Sequence, residues 1–211
     1  NLVMEYGANY KIDWEKGQKT GFFIDQRENR KLLASYSKGK KVLNTFCYSG
    51  GFSVLSLLEG AKEVHSVDIS SKAIALTEEN ISLNPSIKGI HSSIEADVVK
   101  YIREIGSDYD LIVLDPPAFA KNQKARHNAV QGYKRLNLEA LKKIKKGGIL
   151  FTFSCSQVVD KQLFRNTIAA AALESGRKIQ ILHQVSQPAD HPINIYHPET
   201  EYLKGLVLFV S

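Results

Sequence analysis

The stretch VLNTFCYSGGFSVLSLLEGAKEVHSVDIS, Val42–Ser70, decides the fold. An apolar run at its start and a second run ending in Asp68 are typical of buried parallel strands, and the segment between them has the composition of a buried helix. Gly50 and Gly51 supply the turn after the first strand. The stretch therefore predicts a strand, a helix and a second strand of a parallel sheet.

The same alternation of strand-like and helix-like segments continues from Lys41 onward, as in a doubly wound sheet. The predicted strands are Val42–Phe46, Glu63–Asp68, Gly89–Ile94, Asp110–Asp115 and Ile149–Ser154. The predicted helices are Phe52–Glu59, Ser71–Leu83, Val98–Ile105, Val130–Ile144 and Asp160–Glu174. Asp160 suits the N-cap of the last helix, and Gly176 suits its C-terminal end.

Both ends of the chain favour antiparallel hairpins instead. Apolar and polar residues alternate over Tyr10–Trp14, and Glu15–Gly17 supplies a turn before a second strand-like run at Thr20–Ile24. Lys178–Gln187 and Tyr202–Val210 are predicted to pair as a terminal hairpin with a long, irregular connection. The fold class is therefore α/β, with antiparallel C-terminal strands and an N-terminal β-hairpin.

Length and composition fit one main domain. The chain has 211 residues, of which 43% are hydrophobic and 24% are charged, and no apolar run approaches the roughly 20 residues of a membrane span. We expect a hairpin extension over residues 1–24 and one domain over 25–211. The two cysteines form no disulfide pattern and no secretory leader is seen, which favours a cytoplasmic location. The first residue is Asn1, so we expect a longer protein with a further domain upstream.

The net charge of +6 favours a polyanionic partner. The basic residues form three groups: Lys38, Lys40 and Lys41; Lys121, Lys124, Arg126 and His127; and Lys142, Lys143, Lys145 and Lys146. Lysines in the last turn of a helix complement its negative end, which explains the third group. The second group directly follows DPPAF and is the better candidate for nucleic-acid contact.

The Gly50–Gly51 turn favours a nucleoside ligand without phosphates. A carboxylate at the end of the second strand, here Asp68, can accept hydrogen bonds from both ribose hydroxyls. The turn lacks the GxGxxG pattern that seats a dinucleotide pyrophosphate. An ordinary strand–helix turn without a ligand is the alternative. Asp97 could meet an adenine amino group, although a helix cap is favoured on spacing, and Cys47 is best explained as a small buried hydrophobic residue.

Two further strands end in chemically active groups. DLIVLDPPAFAK at Asp110–Lys121 presents Asp115, and FTFSCSQ at Phe151–Gln157 presents Cys155. At neighbouring strand ends a thiol could act as nucleophile and a carboxyl as its proton partner on one flat substrate, which suggests chemistry on a nucleic-acid base. A buried structural cysteine and a loop-stabilising aspartate are the alternatives.

Seven motifs, taken together, identify a family. They are KTGFFIDQRENR at Lys19–Arg30, VLNTFCYSGGFSV at Val42–Val54, VDIS at Val67–Ser70, EAD at Glu95–Asp97, DPPAFAK at Asp115–Lys121, SCS at Ser154–Ser156 and HPETEYLKG at His197–Gly205. In this order they resemble the bacterial large-subunit ribosomal RNA cytosine-5 methyltransferases of the class I, S-adenosylmethionine-dependent type. The resemblance implies a Rossmann-like sheet, S-adenosylmethionine as cofactor and ribosomal RNA as partner. Family members usually carry an RNA-binding PUA domain ahead of the hairpin.

The resemblance also implies a role for each site residue. The implied cofactor-binding residues are Gln26, Arg27, Arg30, Asn44, Phe46, Tyr48, Gly50, Asp68, Ile69 and Asp97, with arginine pairing to the cofactor carboxylate. A solvated helix start is the alternative for the first three. The implied catalytic residues are Cys155 and Asp115, and Pro116, Pro117, Phe119 and Lys121 would contact the substrate base. No metal is implied.

The implied mechanism is covalent. The Cys155 thiolate adds to carbon 6 of cytosine, carbon 5 then attacks the methyl group, and Asp115 hydrogen-bonds the ring, while Lys121 is a candidate source of positive charge for the thiolate. An RNA nitrogen methyltransferase, acting for example on guanine N7, would need no thiol. A noncatalytic RNA-binding module and, more distantly, a nicotinamide oxidoreductase also stay open, as does the oligomeric state, a homodimer included.

Overall fold

The computed structural model describes residues 1–15, 21–120 and 122–211. These residues divide into two units, Asn1–Val98 and Val99–Ser211. Among them, no helix has both the length and the apolar composition that crossing a membrane requires.

The first unit combines a hairpin with three parallel strands. Its elements are β1 (Leu2–Glu5), β2 (Ala8–Lys11), a 3₁₀ turn (Ile24–Gln26), α1 (Arg27–Tyr36), β3 (Lys41–Thr45), α2 (Gly51–Leu58), β4 (Glu63–Asp68), α3 (Ser71–Ser82) and β5 (Ile90–Glu95). β4 lies between β3 and β5 and pairs with both in parallel, which confirms the strand–helix–strand unit predicted from Val42–Ser70.

The second unit contains a mixed four-stranded arrangement. Its elements are α4 (Val98–Glu104), whose first residue ends the first unit, β6 (Leu111–Leu114), a 3₁₀ turn (Gln123–Ala125), α5 (Arg126–Lys143), β7 (Gly148–Ser154), α6 (Lys161–Ser175), β8 (Ile179–Ser186), a 3₁₀ turn (Pro198–Thr200) and β9 (Lys204–Val210). β6 and β7 are parallel, and β9 pairs antiparallel with both β7 and β8. The predicted C-terminal antiparallel strands are thereby confirmed.

The apolar composition of β6 and β7 explains why these two strands of the second unit are buried. All four residues of β6, LIVL, are buried, and so are all but one of the residues in β7, GILFTFS. Near-continuous apolar runs of this kind are typical of parallel strands covered on both faces. The polar groups that follow these strands therefore lie where the buried core ends.

Helix ends in this unit follow local side-chain chemistry. Asp160 caps α6 as predicted, because its Oδ1 accepts the Leu163 N–H at 2.7 Å, and Gly176 ends the helix with φ 70°. Helix α5 begins at Arg126 rather than at the predicted Val130. The Asn122 side chain accepts the Ala125 N–H at 3.2 Å and starts a 3₁₀ turn that leads into the helix.

The N-terminal hairpin is present, but its strands and turn differ from the prediction. Leu2 pairs with Lys11 and Glu5 with Ala8, so the turn lies at Tyr6–Gly7 and not at Glu15–Gly17. Tyr6 and Gly7 both have positive φ, 51° and 79°, as a tight two-residue hairpin turn requires. The predicted second strand is wrong at its described end, where Ile24 begins a 3₁₀ turn; residues 16–20 lie outside the described residues. The division at residue 24 stays a prediction.

Candidate active site

The loop between β3 and α2 has a strained backbone. Phe46 and Tyr48 adopt left-handed conformations with φ 54° and 49°, which non-glycine residues hold only where their surroundings enforce them. Gly50 has φ 73°, and a Cβ there would lie 2.6 Å from Thr77 Cγ2. The Thr77 hydroxyl donates to the Tyr48 carbonyl at 3.0 Å. The loop is thus held rigidly at the carboxyl end of β3, where α/β sheets bind ligands.

Asp68 is tied to the same loop. Its Oδ2 accepts the Tyr48 N–H at 3.1 Å, and its Oδ1 accepts the Ser70 N–H at 3.0 Å. Each carboxylate oxygen can accept a second hydrogen bond, and the side chain is half-buried. Asp68 is therefore able to receive two further donors, as the predicted ribose contact requires. The neighbouring Ile69 and the later Asp97 are both exposed.

Asn44 of β3 ends a buried chain of hydrogen bonds. Its Nδ2 donates to Ser53 Oγ at 2.8 Å, Ser53 bonds to Ser66 at 2.6 Å, and Ser66 bonds to His91 Nε2 at 2.8 Å. Burial lowers the pKa of His91 to about 4, so its ring is neutral at pH 7. The Asn44 Oδ1, also buried, accepts no hydrogen bond from the described residues. Such an oxygen fits a site where a bound ligand supplies the donor.

Arg30 is already occupied by protein groups. Its Nε and Nη2 form a two-point ion pair with the Glu5 carboxylate at 2.8 and 2.6 Å, and its Nη1 donates to the Phe23 carbonyl at 2.8 Å. Gln26 is buried as well and accepts from Asn29 Nδ2 at 2.6 Å. A solvated helix start therefore does not describe these two residues. The side chain of Arg27 is 33% exposed, so of the two arginines, Arg27 and Arg30, Arg27 is the one that solvent reaches.

Asp115 and Cys155 follow adjacent strands, as predicted. β6 and β7 are parallel and in register at Leu114 and Thr152, so both chains leave the sheet at its carboxyl end. Asp115 and Cys155 are half-buried. Both groups are thus partly shielded from water yet accessible.

Ser156 joins the two segments that carry these groups. Its hydroxyl, which is buried, donates to the Ala120 carbonyl at 2.8 Å, and its own N–H donates to Ser154 Oγ at 3.3 Å. The DPPAFA segment is therefore bonded directly to the SCS segment. This bond fixes the loop after Asp115 relative to the strand end that carries Cys155.

The predicted substrate residues differ in exposure. Pro116 is buried, Pro117 is exposed and Phe119 is half-buried. The Phe119 ring packs on Tyr133 with centroids 4.6 Å apart, and a Cβ on Gly132 would lie 3.0 Å from the Phe119 ring. Phe119 is therefore held in place by α5. Lys121 lies outside the described residues.

The two cysteines have different surroundings. Cys47 is buried, and burial raises the pKa of its thiol to about 12, which confirms its prediction as an unreactive core residue. Cys155 is only half-buried. Because the thiolate is the reactive form, Cys155 is the better placed nucleophile of the two.

Lys204 and Tyr133 were not identified from the sequence as buried residues with shifted pKa values. Lys204 is only 5% exposed, and burial lowers its pKa to about 8. Tyr133 is fully buried, and burial raises its pKa to about 12. A lysine that opens an apolar strand looks like an ordinary exposed flank, because buried lysines are rare. The available signal was YLKGLVLFV itself, where the charge directly adjoins a continuous buried run.

The basic groups are mostly at the surface. Lys124 and His127 are exposed, and Arg126 approaches Asp160 at 3.6 Å. Lys142 and Lys143 stand in the last turn of α5, as the helix-end explanation predicts. Lys41 pairs with Glu63 at 3.2 Å.

The chain is similar to curated and solved methyltransferases along its whole length. It is 45% identical to "Ribosomal RNA large subunit methyltransferase I" of Aeromonas hydrophila, over 98% of this chain and 53% of that protein. It is 46% identical to the protein of that name from Tolumonas auensis, over 96% of this chain and 52% of the relative. The chain thus spans about half the length of the curated relatives it matches.

Solved structures confirm the Rossmann-like fold. A structure assigned as a methyltransferase complexed with SAH, SMU.776, superposes with a TM-score of 0.86 at 28% identity, covering 100% of this chain and 56% of that one. Trm5b from Pyrococcus abyssi, at 22% identity and a TM-score of 0.72, shares the fold over 100% of this chain and 56% of its own. The family model described as S-adenosylmethionine-dependent methyltransferase matches residues 2–194. The chain therefore belongs to the S-adenosylmethionine-dependent methyltransferase family.

Proposed function

We propose that this chain transfers a methyl group from S-adenosylmethionine to carbon 5 of a cytosine in large-subunit ribosomal RNA. The observation that carries the proposal is the placement of Asp115 and Cys155 at the ends of adjacent parallel strands. The names of the curated relatives support ribosomal RNA as the substrate.

The first unit supplies groups that fit the cofactor. S-adenosylmethionine provides an electrophilic methyl group on a sulfonium. The unpartnered Asn44 Oδ1 suits the cofactor ammonium, and the remaining lone pairs of Asp68 suit the ribose hydroxyls. The other proposed cofactor contacts are Phe46, Tyr48, Gly50, Ile69, Asp97 and Gln26.

The two arginines receive different proposed roles. Arg27 is the one we assign to the cofactor carboxylate, because solvent reaches its side chain. Arg30 is engaged by Glu5 and by the Phe23 carbonyl, so its contribution is to hold that end of α1 in place.

The covalent step explains the need for Cys155. Carbon 5 of cytosine is a weak nucleophile, so the thiolate first adds to carbon 6 and moves electron density to carbon 5. Carbon 5 would then take up the methyl group, and the bond between that group and the sulfonium would break with its electrons going to sulfur. A base removes the carbon-5 proton, the ring double bond re-forms and the thiolate leaves.

Asp115 stabilises the ring while the adduct exists. Its proposed hydrogen bonds are to the ring nitrogen and the exocyclic amine, where charge changes as sulfur adds. Pro116 and Pro117 would keep this strand end rigid, and Phe119 would flank a base unstacked from the RNA. Lys121 stays a proposed substrate contact.

Trapping tests the proposal. RNA containing 5-fluorocytosine should leave the protein covalently bound after incubation with S-adenosylmethionine, because fluorine cannot leave as the carbon-5 proton does. Intact-mass analysis reads out the adduct. Cys155→Ala should abolish both trapping and methyl transfer while keeping cofactor binding, and the matched control Cys47→Ala should retain both activities.

Either of two results would overturn the cytosine-5 mechanism. If Cys155→Ala remains active, or if the protein methylates RNA without a trappable adduct, the reaction is nitrogen methylation. A wild-type protein that does not bind S-adenosylmethionine at all would instead indicate a noncatalytic RNA-binding module.

A further inference from the structure

We propose that Lys204 is a positioning residue whose buried ammonium stabilises the thiolate of Cys155. The inference rests on the proposed function, since it assigns a partner to the nucleophile of that reaction. Thiolates are favoured by nearby positive charge, and Lys204 is the buried cation on the strand beside Cys155.

Strand pairing places Lys204 beside the SCS segment. β9 runs antiparallel to β7, and Lys204 is the register partner of Ser154. The Lys204 Nζ donates to the Ser156 carbonyl at 2.6 Å. Ser154 and Ser156 flank Cys155 on either side, so the lysine is bonded within one residue of the thiol.

Packing keeps β9 close against β7 at this point. A Cβ on Gly205 would lie 2.5 Å from the Phe153 ring, which is closer than side-chain atoms approach one another. Gln187 fixes the segment just before Lys204, because its Oε1 accepts the Leu203 N–H at 3.2 Å and its Nε2 donates to the Thr200 carbonyl at 2.6 Å. The lysine is therefore held in one position.

The electrostatics favour an interaction with the thiol. Burial disfavours the charged form of Lys204, while negative charge at Cys155, Asp160 and Glu201 favours it and Lys161 opposes it. Asp160 already caps α6 and approaches Arg126, and Glu201 is bonded to Lys161. Within the part of the chain that the structure describes, Lys204 forms no ion pair with a carboxylate. Its charge is therefore available to Cys155.

The pH dependence follows from the same groups. The pKa of Lys204, lowered to about 8, leaves the ammonium mostly charged at pH 7 and uncharged well above pH 8. Tyr133, on which negative charge at Cys155 and Asp115 also acts, stays neutral across this range because burial raises its pKa to about 12. Support for the thiolate is thus present at neutral pH and lost as the pH rises past about 8.

Alkylation measures this effect without any RNA. The rate at which iodoacetamide modifies Cys155, followed by peptide mass spectrometry against pH, reports the fraction of thiolate. Lys204→Gln should move the midpoint of that profile upward by about one to two pH units and slow alkylation at pH 7 about tenfold or more. Lys204→Arg should restore most of the wild-type profile. The matched control is Lys178→Gln, which removes an exposed lysine just ahead of β8 in the same unit and should leave the midpoint unchanged.

The outcomes separate this inference from the proposed function. An unchanged midpoint in Lys204→Gln, or a wild-type midpoint no lower than the roughly 8.5 of a free thiol, overturns the role of Lys204 even where trapping by 5-fluorocytosine succeeds. A shifted midpoint in a protein that is never trapped would retain the charge effect and overturn cytosine-5 chemistry. Should Lys204→Gln fail to fold, the wild-type midpoint still decides, because a value no lower than about 8.5 overturns the role of Lys204 and a lower value supports it.

Discussion

At the scale of single residues, Asp68 is the proposed cofactor contact with the clearest energetic expectation. Asp68→Ala should weaken S-adenosylmethionine binding by about 1.5–3 kcal/mol, because it removes charged hydrogen-bond acceptors. Calorimetric titration provides the measurement. Glu78→Ala, which deletes an exposed carboxylate on α3, serves as the control and should bind the cofactor normally. Equal affinities in the two variants would remove Asp68 from the site.

Residue-level prediction succeeded where the side chain ends a strand. Asp115 and Cys155 could be placed at neighbouring strand ends, because apolar runs that stop abruptly show where a buried strand leaves its sheet. Lys204 could not be found in this way. The run YLKGLVLFV shows a charge that adjoins a buried strand, but the placement of Lys204 beside Cys155 depends on β9 lying between β7 and β8, and strand order leaves no local signal in the sequence.

At the scale of elements, the Arg30–Glu5 ion pair joins α1 to the N-terminal hairpin. The side chains are 3% and 10% exposed, so removing either partner strands a charge away from water. Glu5→Gln should lower the free energy of unfolding by about 3–5 kcal/mol, as measured by urea denaturation. The control is Glu79→Gln, because the Lys11–Glu79 pair is 47% and 42% exposed and such pairs contribute less than about 1 kcal/mol. Similar losses in both variants would contradict a special role for the buried pair.

The hairpin and α1 show why element prediction fails locally. Tyr6–Gly7 is not one of the usual turn pairs, so the hairpin was predicted from the alternation over Tyr10–Trp14, with its turn too far along the chain. Helix α1 buries Asn29 and Arg30 beside Leu33, so its inward face lacks the apolar period by which helices are recognised. In both cases a tertiary contact, and not local propensity, determines the element.

At the scale of the whole molecule, the order of strands and helices was predictable because it repeats one physical unit. Each buried parallel strand needs a crossover helix to reach the next, so apolar runs and amphipathic segments must alternate. The likeness to solved methyltransferases over 100% of the chain bears this out. Net charge is the other property of the whole molecule that the sequence states directly, and it bears on the proposed RNA partner.

The +6 charge predicts salt-dependent RNA binding with a definite location. Lys124 lies in the 3₁₀ turn that leads into α5 and is exposed, and Arg126 begins α5 and is half-buried. Both residues follow the DPPAF motif. Each phosphate contact contributes about 0.7 to the slope of log affinity against log salt for a single strand, so the double variant Lys124→Gln, Arg126→Gln should reduce that slope by up to about 1.4. Fluorescence anisotropy on a single-stranded ribosomal RNA fragment at several salt concentrations gives the slope.

The control is the double variant Lys142→Gln, Lys146→Gln, which removes the same charge from the far end of α5 and should leave the slope unaltered. Equal slopes in the wild type and both double variants would show that the basic group after DPPAF is merely solvated.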